Sequence, residues 1–357
     1  MDIAAAQATQ ANAHSARDVA RGPSRLTFAC ELDPACLTAL FADPAVITDL
    51  QALGAHVGLM LSDLSPARAA VVRRLNTAGV PVVAIPLVPV AEGYYFTADN
   101  AERATRRYDE WTAWTAYHGL VWDGVGLDIE PEARIYQQIM DNPWRLAAVL
   151  APRLHDWGRV GRARAAYTAL VERIHTDGYC VENYQFPLIA DERWAGSTLL
   201  QRLLGLVDVR TDREVWMLYT SVFPGRLGPG LLWSYAPQAP AVGVGSTGGG
   251  PGIPGHPQVP ALDWDTLARD LRLARRWCDD LLIHSLEGCV RQGFLPRLRS
   301  FDWGQTMAPP ETMWFAEGLR RGLRALLWAS AHPWRLLSLA LAVAWLASRR
   351  RRGTPLA

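Results

Sequence analysis

The chain has 357 residues, half of them hydrophobic and a fifth charged, with a formal net charge of +1. That is apolar material for one large core or two ordinary ones, without the basic footprint of a nucleic-acid binder. All 36 basic residues are arginine, which excludes Schiff-base catalysis, pyridoxal phosphate attachment and a phosphate-loop lysine.

Residues 1–24 are Ala-rich and lack the uninterrupted apolar core of a signal peptide, so they read as a disordered leader. Apolar runs then recur at 26–31, 56–61, 81–87, 121–130, 179–186, 214–220, 241–246 and 280–286, each short enough for a strand. Helical patterns lie between most of them, at 65–78, 98–119, 144–156, 159–177, 196–205 and 263–278. Strand–helix alternation predicts parallel pairing through crossover helices. Eight such units over roughly 250 residues predict an α/β fold, a (β/α)8 TIM barrel spanning 25–305. A doubly wound sheet fits less well, because "CELDPACL" after the first run has no Gly-rich turn.

The Pro/Gly-rich stretch 222–260 reads as a flexible loop, with a lid on the barrel mouth as the functional alternative. Its "GVGSTGGGPGIPGHP" lacks the Lys-Ser/Thr of a phosphate-binding loop. Residues 306–357 read as a C-terminal helical tail with a hydrophobic segment at 334–348. That segment falls short of the ~20 apolar residues a bilayer span needs, and Arg349–Arg352 follow it. Membrane contact through the tail and packing on the barrel or a partner both stay open, with a cytoplasmic location expected. The five cysteines are odd in number and lack the close spacing of a zinc site. They read as small buried hydrophobes in a reducing compartment.

The chemistry concentrates in "VWDGVGLDIEPE" (121–132), a buried-strand pattern that ends in carboxylates. Alternation puts Gly126, Asp128 and Glu130 on one face, which in a barrel is the interior at its upper rim. Two carboxylates held close cannot both ionise freely, so one stays protonated near neutral pH. A proton donor of this kind suits cleavage of a glycosidic bond. The plainer alternative makes Asp128 a cap or ion-pair partner and Glu130 a loop residue. Other residues at predicted strand ends are Glu31, Asp63, Tyr184, Gln185, Met217, Tyr219, His284 and Glu287.

The segment "RRYDEWTAWTAYHGLVWDGVGLDIE" resembles the strand-four region of family-18 glycoside hydrolases, the chitinase-like group. Asp123, Gly124, Asp128 and Glu130 match D-G-x-D-x-D-x-E, with Gly126 at the middle Asp. Met217 and Tyr219 match the strand-six M-x-Y-D, with Thr220 for the Asp. The run "HSLEG" puts His284 and Glu287 in a pattern similar to strand eight's W-S-L-D-G. The resemblance implies hydrolysis of a carbohydrate at the barrel mouth without a cofactor. Glu130 is then the general acid, Asp128 orients the substrate's acetamido group and Tyr219 hydrogen-bonds to it. Glu31, Asp63, Tyr184, Gln185, Met217 and His284 are the expected substrate contacts.

Three other arrangements stay open. Glu130 and Glu287 can form an ordinary acid and nucleophile or base pair. Asp128, Glu130, His284 and Glu287 can form a divalent metal site. A barrel without a full catalytic set can bind carbohydrate and leave it intact.

Overall fold

The computed structural model describes residues 22–131, 150–223, 225–250, 259–336, 338, 341–342 and 344–345. Most of the leader, residues 144–149 of one expected helix and part of the tail lie outside this set.

Eight parallel strands close into a barrel in the order β1 to β8, with β1 paired to β8 through Thr27↔Leu282. They are β1 Arg25–Cys30, β2 His56–Leu61, β3 Val82–Pro86, β4 Gly124–Asp128, β5 Val181–Gln185, β6 Arg213–Met217, β7 Ala241–Gly245 and β8 Asp280–His284. Each falls inside or within one residue of an apolar run of the sequence, as parallel strands covered on both faces should. The fold is a TIM barrel.

Helices follow the strands. After β1 come α1 (Pro34–Ala42) and α2 (Pro44–Ala52), and after β2 comes α3 (Pro66–Thr77). All three start with proline at the first helical position behind a capping side chain, Asp33, Asp43 and Ser65 respectively. After β3 lies α4 (Ala101–His118), and α5 (Trp157–Thr176) precedes β5. Then come α6 (Leu188–Ala195) and α7 (Leu199–Leu204) after β5, α8 (Leu227–Tyr235) after β6 and α9 (Trp264–Arg275) after β7. The short α10 (Leu286–Arg291) and α11 (Phe294–Arg299) follow β8.

Helix α8 corrects the expectation of a flexible loop ahead of β7. Its "LGPGLLWSY" carries a proline and two glycines, which weaken a helical reading. Close packing explains the glycines. A Cβ at Gly228 would stand 2.7 Å from the Thr220 carbonyl oxygen, and one at Gly230 2.7 Å from that of Thr312.

The barrel interior is filled in layers. At the strand N-terminal end, Glu182 accepts from Arg25 and Arg213, and Arg213 also pairs with Asp280. Above this lies an apolar and aromatic layer that includes Met60, Ile85, Tyr184, Val215 and Met217. The larger core lies between strands and helices.

The helix α12 (Met313–Ala331) packs on α6 and α8. Asp191, fully buried on α6, accepts from Arg320 Nη2 at 2.9 Å and Arg324 Nε at 2.7 Å. Tyr235 donates to the same carboxylate, and its ring lies 3.6 Å from the Arg320 guanidinium. Beyond α12, residues 333–336, 338, 341–342 and 344–345 are helical and exposed. Among the described residues no helix is long and apolar enough to cross a membrane; part of the 334–348 segment lies outside them.

Candidate functional site

The C-terminal ends of β1, β4 and β8 bring carboxyl groups into one buried place. Glu31 directly follows β1 and is 5% exposed, Asp128 ends β4 at 3%, and Glu287 in the first turn of α10 is at 7%. Glu130, two residues beyond β4, is partly buried beside them. Its backbone N–H donates to Phe96 O at 3.0 Å, so the loop after β3 fixes the chain there.

Burial dominates the electrostatics. It raises the Glu31 carboxyl to about 8. Tyr94 opposes this by donating a hydrogen bond, while Glu287 and Glu130 add to it by repulsion. Burial, then Glu130 and Glu31, hold the Asp128 carboxyl well above the usual carboxylate range. Burial raises Glu287 as well. The thiol of Cys30, the last residue of β1, is pushed up by burial and by Glu287. Charged forms are disfavoured throughout because little water is left to solvate them.

Two loops complete the site. Tyr94, after β3, donates from its hydroxyl to Glu31 Oε1 at 2.7 Å. It does so from a left-handed backbone, φ 68°, a region costly for a non-glycine residue and enriched at functional sites. After β7, Gly250 N–H donates to Glu287 Oε1 at 3.1 Å. Glu287 Oε2 is buried without a hydrogen-bond partner among the described residues. Tyr219 and His284 stack with ring centroids 5.4 Å apart and form an aromatic wall. Burial raises the Tyr219 hydroxyl further above its ordinary range, with help from Glu130, Asp128 and Glu31.

The other sequence candidates are engaged elsewhere. Asp63 pairs with Arg68 at 2.7 Å and accepts from Ser65 N–H at 3.0 Å. Burial pushes its carboxyl up, but these hydrogen bonds outweigh burial and leave it below the usual range. Tyr184 fills the barrel interior and donates to Glu182 at 3.2 Å. Gln185, its neighbour, faces the other way and donates to Val207 O at 3.2 Å. Met217 packs in the interior layer with Tyr184 and Val215.

Tyr94 was not among the sequence candidates. The aromatic run "GYYF" at 93–96 was the available signal, but nothing in it indicates which carboxylate its hydroxyl would meet. Among the described residues no group of three or more His, Cys, Asp or Glu side chains could hold a metal ion. The metal arrangement of Asp128, Glu130, His284 and Glu287 is corrected accordingly. A separate cavity of about 310 Å³ opens between the loop after β6 and the start of α9, lined in part by Thr220, Asp263 and Arg269. None of the carboxyl cluster lines it.

No protein-family profile and no curated protein matches this sequence. Among solved structures, the chain is similar to a D-allulose 3-epimerase from Methylomonas sp., with 9% identity over 84% of this chain and 99% of that one, TM-score 0.37. It is also similar to an L-ribulose 3-epimerase, with 13% identity over 89% and 98%, TM-score 0.37. A third is a xylose isomerase-like TIM barrel protein from Mycobacterium smegmatis in complex with magnesium, with 11% identity over 89% and 99%, TM-score 0.39. At these identities the likeness concerns the fold.

The resemblance to family-18 glycoside hydrolases is withdrawn, because no family profile matches the sequence. With it go the chitinase-like assignment and glycosidic hydrolysis with Glu130 as acid and Asp128 assisting. The geometry agrees. A Cβ at Gly126, where that family has its middle Asp, would stand 2.8 Å from Tyr184 Cε2 and 2.9 Å from Ile85 Cγ1. Thr220, at the strand-six Asp position, donates from its hydroxyl to buried Asp270 on α9. Asp123, at the head of the motif, sits at the opposite end of the barrel with His56 and Arg25.

Proposed function

We propose that the barrel mouth is an acid–base site for a small, neutral, polyhydroxylated compound of the carbohydrate class. One observation carries this reading. Carboxyl groups from separate strand ends, Glu31, Asp128 and Glu287, are buried together, and burial shifts each of them toward its protonated form. A neutral carboxylic acid both donates and accepts a hydrogen bond, which matches hydroxyl groups. An anionic ligand meets carboxyl oxygens here and is disfavoured. The stacked Tyr219–His284 pair offers a flat wall to a ring or an extended carbon chain.

The chemistry is proton transfer on the bound ligand. An ionised member of the set takes a proton from the ligand and a neutral member returns one to it, so the proton count of the set is unchanged. Glu31, poised near 8, is the member that can act in either role close to neutral pH.

The experiment is exchange in deuterated water. The protein is incubated with a panel of neutral aldoses, ketoses and polyols, and deuterium incorporation at carbon is followed by NMR. The reading expects exchange with some of the panel and at least ~100-fold slower exchange for Glu31→Gln. It fails if no compound of the panel exchanges, or if Glu31→Gln exchanges at the wild-type rate.

For the C-terminal end we propose contact with a membrane surface, without a span. The supporting observation is the exposure of Trp334, Leu336, Leu341 and Trp345. Fractionation of the full chain against a chain ending at Ala331 tests it. Equal solubility of the two without detergent rules the contact out for these residues.

A further inference from the structure

Helix α12 turns two arginines inward and much of its apolar surface outward, while Arg321 and Glu317 pair with each other on the surface. Arg320 is buried, and together with Arg324 it reaches Asp191 beneath the helix. The opposite face carries Trp314 at 71% exposure and Phe315 at 63%, with Leu319 and Leu326 also exposed. Between these side chains a groove of about 560 Å³ runs past Gly318 and Gly322, lined throughout by apolar residues. A helix lying on a barrel in water should show the reverse pattern. Contiguous apolar exposure of this kind marks a surface that meets something other than water.

The chain beyond α12 identifies the occupant. Apolar exposure continues through Trp334, Leu341 and Trp345, and the sequence then runs into Arg349–Arg352. Tryptophan is enriched at the membrane–water interface, and an arginine run that follows an apolar segment in sequence complements anionic headgroups. A second copy seated on the α12 groove leaves unexplained why apolar exposure recurs as far as Trp345 and why the sequence then carries four arginines.

We infer that the outward face of α12, with the exposed apolar residues that follow it, lies in the headgroup layer of an anionic bilayer without crossing it. This rests on the membrane contact proposed for residues 333–345, and adds both the helix that makes the larger contact and the lipid charge it selects.

The test is co-sedimentation of the full chain with vesicles of phosphatidylcholine alone or phosphatidylcholine with phosphatidylglycerol. The expected result is binding to the anionic vesicles that is at least about tenfold stronger than to the neutral ones and weakens with salt. Leu319→Glu with Leu326→Glu should lower it by about tenfold or more while the melting temperature stays unchanged. Equal binding to both vesicles overturns the anionic selection but leaves the contact standing. Binding indifferent to the double substitution overturns the role of α12. No binding to either vesicle overturns both. A stable dimer in solution that the double substitution dissociates assigns the face to a second copy and overturns the inference.

Discussion

The Tyr94 hydroxyl donates to Glu31 Oε1 at 2.7 Å, and both residues are at most 5% exposed. A carboxyl that retains its proton to about pH 8 therefore sits under a phenol that works to lower that value.

Stability should fall as pH rises. Glu31 titrates near 8 in the folded chain against an ordinary 4.5. Between these values the folded chain holds more protons than the unfolded one, so raising the pH favours unfolding. Glu31→Gln removes this titration. Its stability relative to wild type should be near zero at pH ~4.5 and grow to a few kcal/mol in its favour above pH ~8. Asp128 and Glu287 are shifted the same way, so the variant keeps part of the slope. Urea midpoints across this range provide the measurement, and a difference that does not grow with pH would falsify the assignment.

Tyr94→Phe should move the Glu31 titration upward, because the lost hydrogen bond favoured the charged form. The expected cost in stability is about 1 kcal/mol. Carbon-13 NMR of the Glu31 carboxyl reports the shift directly. An unmoved titration means that Tyr94 does not tune this acid.

Gly126→Ala should destabilise the barrel by about 1–3 kcal/mol, since its methyl group meets the Tyr184 ring and Ile85 at less than contact distance. Tyr184→Leu in the same chain should recover part of this loss, because it removes the nearer obstacle. Thermal melts of the single and double variants decide the point, and strict additivity would show that the two positions do not compete for space.

Asp191→Ala should cost about 3–5 kcal/mol, because it strands the buried Arg320 without its carboxylate. Arg324→Ala should cost less, as Arg324 is partly solvated. Hydrogen exchange should place the loosening in α12 first. Protection of α12 unchanged in Asp191→Ala would mean that its apolar contacts alone hold the helix down.

The strands were legible because each is covered on both faces and reads as one apolar run. Helix α8 was not, since its glycines answer to Thr220 and Thr312, contacts that exist only after folding. Carboxylates at strand ends were legible as a class: Glu31, Asp128 and Glu287 do converge. Which of the other rim candidates converge was not. Asp63 is held by Arg68 five residues on, and Tyr184 and Gln185 divide between the two faces of one strand. Tyr94 meets Glu31 across 63 residues through a backbone turn that no periodicity encodes. The family-18 pattern misled because its departures, Gly126 and Thr220, answer to Tyr184, Ile85 and Asp270, partners that lie outside the motif and meet these positions only in the folded chain.

The ionic layer formed by Arg25, Glu182, Arg213 and Asp280 divides the labour of the molecule. It fastens strands β1, β5, β6 and β8 together at the end away from the carboxyl cluster. Mutational freedom should be distributed in the same way. Libraries randomised at Glu31, Tyr94 or Glu287 should yield mostly folded proteins. Libraries at Glu182 or Arg213 should yield mostly unfolded ones. A lineage of this barrel can thus vary the rim that carries the carboxyl cluster, while selection for folding guards the other.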